Sequence, residues 1–265
     1  MKIIPGQKIT SVTAGSSNAN YPASNLTDEN PKRIWKAASG VYSTTLSFTL
    51  SGPSSAIALF NTNAMTITAT VTDPNYFTWF ASDIVWDSGD IAWVAEDASL
   101  SNELYNLDGV SGAAWIEWPT SQIPVEAVLT LTSSSTEDVF AGVAVGDDIY
   151  EFECPQIGVS EGMRSYSIVK ELQNGAIYRK QRDTVRTFSF NFLEDRPVLQ
   201  GETTSDFYTF MYAIAKELDY KPAAWQLTEL DDFWWVVYAR FQQMPTGTHS
   251  LPDYSRINVS LIEVL

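Results

Sequence analysis

Hydrophobic and polar positions are most regularly ordered between Ser165 and Leu193, SYSIVKELQNGAIYRKQRDTVRTFSFNFL. The stretch reads as long extended segments. One is broken by Asn174-Gly175, the dipeptide that best fits a two-residue type I′ hairpin turn. Its last part alternates with period two: Phe188, Phe190 and Phe192 fall on one side, Thr187, Ser189 and Asn191 on the other. That pattern predicts a strand with one face in a core and one polar face. The preceding arm, Ile177 to Arg186, carries Arg179, Lys180, Arg182 and Arg186, the densest basic cluster in an otherwise acidic chain. A long charged hairpin attached to a compact β domain suits gripping a neighbour better than lining a catalytic pocket.

The N-terminal half shows short apolar runs between turn clusters. Candidate strands are Ile9–Thr13, Leu46–Leu50, Ala56–Phe60, Thr66–Thr72, Ala113–Trp118, Val128–Thr132 and Val139–Val145, with polar breaks such as Gly15–Asn20, Ser51-Gly52-Pro53 and Asn61–Asn63. Short strands at regular spacing predict a sandwich or jelly roll. No helix of convincing length is expected before Val145. Beyond a crossing at Val145–Pro155 the pattern changes. One amphipathic helix is expected at about Thr204–Leu218, because Phe207, Phe210, Met211, Ile214 and Leu218 form a single apolar stripe. Thr203 and Asp206 approximate its capping box, and Lys221-Pro222 blocks its continuation. Strands at Ala224–Leu227 and Phe233–Phe241 follow, then a Pro/Gly-rich loop at Met244–Asp253 and a final strand Ile257–Val264. The run FWWVVYARF is apolar on both faces, so Trp234, Val236 and Tyr238 are expected to meet either a core or another subunit. The expectation is a mainly β chain: residues 1–145 a jelly-roll β-sandwich, and residues 146–265 a second β-sandwich with one α-helix and a long hairpin.

Composition narrows the function classes. The 265 residues are 45% hydrophobic, enough for a sizeable core, and nine Trp, twelve Tyr and thirteen Phe favour pleated structure. Sixteen Lys+Arg against thirty-two Asp+Glu give a formal charge of −16, which opposes affinity for phosphate backbones and anionic membranes. Cys154 is the only cysteine, so an intrachain disulfide and a cysteine-based metal site are excluded. The start lacks an apolar run of signal-peptide length, and no stretch approaches the roughly 20 apolar residues of a membrane helix. Synthesis as a soluble cytosolic protein is therefore expected.

Catalytic patterns are sparse. His249, the single histidine, lies among Gly247, Thr248 and Ser250 between Pro245 and Pro252, with no strained nucleophile turn near a serine. Histidine-based zinc sites lack ligands, and neither a phosphate-binding glycine loop nor a dinucleotide fingerprint occurs. The carboxylate pairs Asp147/Asp148 and Asp231/Asp232 are adjacent, so they point apart and read as turns; glycosidase chemistry needs separated carboxyl groups. Aromatics do crowd against carboxylates between Tyr76 and Trp93. There Trp79, Trp86 and Asp83 would suit a pyranose ring; the plainer alternative is a cap over the sandwich core or a protein interface. Asp87-Ser88-Gly89-Asp90 fits a hairpin turn as well as a metal loop, without the full EF-hand spacing.

Two resemblances add to these readings. Asn25, Leu26, Asp28, Asn30 and Trp35, followed by Leu46–Leu50 and Ile57–Asn61, resemble the opening of galactose-binding-like, discoidin-type jelly rolls. Asp28, Asn30 and Pro31 suit a tight turn there, and Trp35 a large anchor. The second half, with its long hairpin, Phe-alternating strand, amphipathic helix, Trp-rich strand pair and closing RINVSLIEVL with Glu263, resembles the tail-tube-like fold of long-tailed bacteriophages. Together the halves look like the distal tail protein family of siphophages, in the reverse of that family's usual domain order. The resemblance implies a structural, non-enzymatic tail-tip or baseplate component without a cofactor, made in the host bacterial cytoplasm and located in the virion. It implies a homo-oligomeric ring, commonly a hexamer, with the tail tube and tail-tip hub or fibre proteins as partners. Arg179, Lys180, Arg182 and Arg186 would then meet a neighbour's acidic surface, although a solvated hairpin reads equally well. The alternative is a carbohydrate-binding module or adhesin that holds a host glycan through Trp79, Trp86 and Asp83.

Overall fold

The computed structural model describes residues 1–6, 8–72, 92–94, 112–121, 126–134, 136–152, 155, 158–171, 177–195, 209–230, 233–248 and 254–264. The chain is mainly β and divides into two units, Lys2–Tyr150 and Glu151–Leu265, with Met1 joining the second. The amino group of Met1 donates to the Phe152 carbonyl at 2.9 Å, and the Phe152 N–H returns a bond to Met1.

In the first unit the strands are β1 (Lys2–Ile4), β2 (Ile9–Ala14), β3 (Trp35–Lys36), β4 (Ser43–Leu50), β5 (Ser54–Thr62), β6 (Thr66–Thr72), β7 (Ala92–Val94), β8 (Gly112–Ser121), β9 (Glu126–Thr132), β10 (Phe140–Ala141) and β11 (Val143–Asp147). A five-stranded sheet in the order β2–β4–β9–β6–β7 and a three-stranded sheet in the order β11–β5–β8 make the jelly-roll sandwich, with neighbouring strands antiparallel in both. Strict alternation builds it. Leu46, Phe48 and Leu50 of β4, Ala127, Leu129 and Leu131 of β9, and Ile67, Ala69 and Val71 of β6 share one buried core with Ile57, Leu59, Ala114, Ile116 and Ala144 of the other sheet. The sequence places most of these strands; their ends extend further, because cross-strand hydrogen bonds continue into the polar flanks. The expected strand Val139–Val145 is two strands broken at Gly142, and a short 3₁₀ turn, Ala23–Thr27, precedes β3.

The break at Gly142 has a steric cause. A Cβ there would lie 2.4 Å from the Pro31 carbonyl oxygen and 2.8 Å from the Asn61 Cβ, so only glycine fits. Asn61 has a φ of 55° and donates from Nδ2 to the Pro31 carbonyl at 2.8 Å. The turn it clasps forms as the sequence predicts. The Asn30 N–H bonds Asp28 Oδ1, the Lys32 N–H bonds Asn30 Oδ1, and Trp35 is fully buried.

The second unit contains β12 (Tyr150–Glu151, at the boundary), β13 (Ser160–Ser165), β14 (Ile168–Glu171), β15 (Ile177–Lys180), β16 (Thr184–Asp195), β17 (Ala223–Leu230), β18 (Phe233–Thr248) and β19 (Tyr254–Glu263). The run β17–β18–β19–β16–β13 is continuous in one antiparallel sheet. Phe188, Phe190 and Phe192 all face its core, as their alternation predicts. Phe192 meets Phe210 edge-on at 5.0 Å, and Phe152 meets Phe210 at 5.2 Å.

Two expectations change. The described part of the helix is a π-helical turn, Thr209–Ala215, running into an α-helical turn, Lys216–Leu218. Phe210, Ile214 and Leu218 are buried as expected, but Met211 is only half-buried, because the wider winding carries it off the apolar stripe. Asp219, at φ 48°, ends the segment ahead of Lys221-Pro222. The expected loop Met244–Asp253 is strand as far as Thr248, with Thr246, Gly247 and Thr248 opposite Asn258, Ile257 and Arg256. Pro245 is accommodated where the register slips between Gln243 and Thr246, a bulge that relieves the ladder's demand for its missing N–H. Phe207, Thr203, Asp206, Cys154 and the Asn174-Gly175 turn lie outside the described residues.

A Phe192→Ala variant should lose about 3–5 kcal/mol, and Gly142→Ala about 1–3 kcal/mol from overpacking. Urea denaturation monitored by fluorescence checks both, and wild-type midpoints would contradict the packing described.

Candidate functional site

One end of the sandwich gathers four connections: residues 15–22 after β2, 37–42 before β4, 63–65 before β6, and 133–134 with 136–139 after β9. Register puts them together, since Ala14 lies opposite Leu46, and Thr132 lies opposite both Ser43 and Thr66. A hydrogen-bond chain fixes their backbones. The Lys36 N–H bonds the Tyr21 carbonyl, the Lys36 carbonyl accepts from Asn18, and Lys36 Nζ reaches Asp138 Oδ2 at 3.2 Å. Asp138 Oδ1 accepts the Gly40 N–H at 2.7 Å, while the Asn63 side chain bonds the Asp138 carbonyl and the Phe140 N–H. The Ser133 N–H bonds the Tyr42 carbonyl. The Gly40 amide and then Lys36 hold the Asp138 carboxyl below the usual aspartate range. On this frame Tyr21 and Tyr42 are 41% and 38% exposed, and Met65, the residue before β6, is exposed as well. Exposed tyrosines on loops whose backbones are fixed in this way offer an apolar surface and a hydroxyl, features that suit a sugar ring. The sequence gives little sign of this end, because isolated loop tyrosines carry no periodicity.

Trp79, Trp86 and Asp83 lie outside the described residues. Their segment leaves β6 at Thr72 and returns to β7 at Ala92, residues that are paired with each other. Thr72 is also opposite Glu126, at the far end of the strands from the loop cluster. His249 and Asp231/Asp232 are likewise outside the described residues. Asp147 is ion-paired with Lys8 at 2.5 Å, and Asp148 Oδ1 accepts from Ser55 at 2.7 Å, so this carboxylate pair fastens a chain turn. Among the described residues, no group of three or more His, Cys, Asp or Glu is placed to hold a metal ion.

The second candidate surface is the hairpin. β13 pairs with β16 from Ser160↔Ser189 to Ser165↔Thr184; after an interruption at 166–167 and 181–183, β14 and β15 continue as a separate two-stranded ribbon. Ser167 bridges the interruption, its hydroxyl accepting the Arg182 N–H at 3.1 Å. Arg179, Lys180 and Arg182 are exposed. Arg186 is placed differently: its guanidinium donates to both carboxylate oxygens of Glu263 at 3.0 and 2.6 Å and stacks 5.4 Å over Phe188. It serves its own sheet. Tyr238 is buried within the chain, Val236 is half-buried, and the Trp234 side chain is outside the described residues. Neither sequence separation nor periodicity signals the Arg186–Glu263 pair, which forms only once β16 lies beside β19.

A scan of protein-family models finds no match, and neither does a search of curated proteins. Among solved structures the chain is similar to carbohydrate-binding modules. One is the V110M mutant of chitosan-binding module 1 from a chitosanase/glucanase of Paenibacillus sp. IK-5, at 15% identity and TM-score 0.36, covering 56% of this chain and 99% of that one. Another is the family 32 module of Clostridium perfringens NanJ in complex with galactose, at 16% identity and TM-score 0.33, covering 56% and 100%. A third is a family 32 module of Clostridium perfringens in complex with GlcNAc-α-1,4-galactose, at 9% identity and TM-score 0.32, covering 56% and 95%.

Glu263→Ala should remove the two-oxygen partner of the half-buried Arg186, leaving the longer 3.9 Å contact with Glu161, and cost about 1.5–3 kcal/mol, more than Arg186 and Glu263 replaced together; additive losses would refute the coupling. Because the Asp138 pKa is lowered, its contribution is complete above the unfolded aspartate pKa and is lost as pH falls through the folded value. The Gly40 amide shift in NMR should therefore titrate with a midpoint below that of an ordinary aspartate. A midpoint at or above it would contradict the assignment.

Proposed function

We propose that this chain is a non-catalytic binding protein in which the jelly roll recognises a surface glycan and the second unit joins it to a larger assembly. The loop end of the sandwich carries this reading: Tyr21 and Tyr42 stand exposed on loops fastened by Lys36, Asp138 and Asn63. A preformed polar frame beside aromatic surface lets a neutral pyranose dock its C–H face and its hydroxyls without a large ordering cost. In this reading the chain has no catalytic residue and no cofactor.

The hairpin favours a second, compatible reading, with the chain as a ring component of a long-tailed phage tail tip or baseplate. The ring would be homo-oligomeric, commonly a hexamer, located in the virion and joining the tail tube to hub or fibre proteins, with a host glycan as the jelly roll's ligand. Two features support it: a hairpin that runs from β13 to β16 and projects a separate ribbon, and a terminal strand, β13, whose residues are all exposed.

Tyr21→Ala and Tyr42→Ala should each weaken binding on a glycan array roughly tenfold, about 1.4 kcal/mol, at unchanged melting temperature. If no glycan is retained by the wild type, the carbohydrate reading falls. If instead Trp79→Ala alone abolishes binding, the ligand sits elsewhere on the chain. Negative-stain images without closed rings would remove the tail-tip reading.

A further inference from the structure

The two sides of the ribbon β14–β15 differ in chemistry. Its strands are joined to no third, and opposed residues share a side. Val169/Arg179 and Glu171/Ile177 make one side, where the charges cancel. Ile168/Lys180 and Lys170/Tyr178 make the other, with two ammonium groups and no carboxylate. That second side continues past the interruption. The Tyr166 N–H bonds the Asp183 carbonyl, so between this pair and Ile168↔Lys180 the extra residue falls on the returning strand. The other strand keeps its alternation, which brings Arg164 and Tyr166 into line with Ile168 and Lys170. Accordingly the Arg164 guanidinium lies 5.3 Å from the centre of the Tyr166 ring. Tyr166 and Tyr178 are 41% and 51% exposed, and Arg164, Lys170 and Lys180 are exposed as well. Cations and aromatics thus alternate over about 20 Å, and the one acid on this side, Asp183, stands at its root. From Arg164 to Arg182 the chain carries five of its sixteen basic residues and a single acidic one, Glu171. Among the described residues, Arg164, Lys170 and Lys180 form no ion pair.

We propose that this stripe is a binding site for an acidic polysaccharide, whose carboxylates meet Arg164, Lys170 and Lys180 and whose rings lie on Tyr166 and Tyr178. Guanidinium and ammonium groups hold carboxylates by charge-assisted hydrogen bonds. A tyrosine ring covers the C–H face of a pyranose and keeps its own hydroxyl in water. Cations alone would fit any polyanion, and aromatics alone any sugar; their alternation asks for charge and ring on one polymer. A nucleic acid packs its charges far more densely, and the chain's net charge of −16 opposes it. A polysaccharide with one carboxylate per ring spaces its charges widely and is repelled less. This site belongs to the second unit and takes a charged ligand, whereas the loop end of the first unit suits a neutral one.

The test is binding of the full chain to immobilised polygalacturonate, with dextran, polyphosphate and single-stranded DNA as soluble competitors. Polygalacturonate should be bound, more weakly as salt rises, and each of the other three should compete roughly tenfold less well than soluble polygalacturonate. Two variants, Lys170→Ser with Lys180→Ser and Tyr166→Ala with Tyr178→Ala, should each bind roughly tenfold more weakly, with unchanged melting temperature and circular dichroism. If the tyrosine variant is misfolded, the lysine variant and the wild-type competition decide. A wild type that does not bind polygalacturonate overturns the site. Equal competition by polyphosphate or DNA reduces it to a charge contact and overturns the polysaccharide; equal competition by dextran overturns the ionic part. Wild-type affinity in the folded lysine variant puts the ligand elsewhere on the chain. Both variants leave Tyr21 and Tyr42 in place, so failure here is distinguished from failure of the loop-end site.

Discussion

The close approach of three backbone segments at Gly142 is the constraint on which the first unit depends. With no side chain there, the Pro31 carbonyl and Asn61 press against the strand break, and Asn61 adopts a left-handed conformation to reach Pro31. That contact fixes the turn whose exit is β3. Trp35 is paired with Ala141 and buried in the core, and Lys36 with Phe140. Lys36 thereby arrives beside Asp138, and Asp138 gathers the Gly40 loop. The exposed tyrosines thus depend, several contacts away, on a position where nothing larger than hydrogen fits.

The second unit is organised by a different device. Its sheet buries Phe188, Phe190 and Phe192 on one face, where Phe192 meets Phe210, and the Arg186–Glu263 pair binds β16 to β19 near the end of the ladder. A partly buried guanidinium held by both carboxylate oxygens of Glu263, with Glu161 of β13 at 3.9 Å, is committed to its own sheet. The basic run that looks uniform in the sequence therefore splits: one arginine is structural, and the remaining charges stand clear of the sheet.

This split shows what was legible in the sequence. Periodicity identified the strands of the sandwich and the inward phenylalanines because alternation is local, and the Asp28–Trp35 turn declared itself through residues that bond their own backbone. Pro245 inside β18 and the π-helical winding were not legible. Each is decided by a partner distant in sequence, whether a bulge that absorbs a missing N–H or a helix packed on a sheet. The loop end was hidden for the same reason. Tyr21, Tyr42 and Asp138 are unremarkable separately and acquire a meaning only through register.

The separation of the ribbon from the sheet behind it also bears on how the sequence can change over time. A substitution at Phe192 or Gly142 must be answered by neighbouring atoms, whereas one at Val169, Arg179 or Ile177 disturbs only the facing strand. Descendants of this chain are therefore free to diverge in the ribbon while conserving the body that bears it. The ribbon is thus the segment that natural variation can revise at the smallest cost to folding.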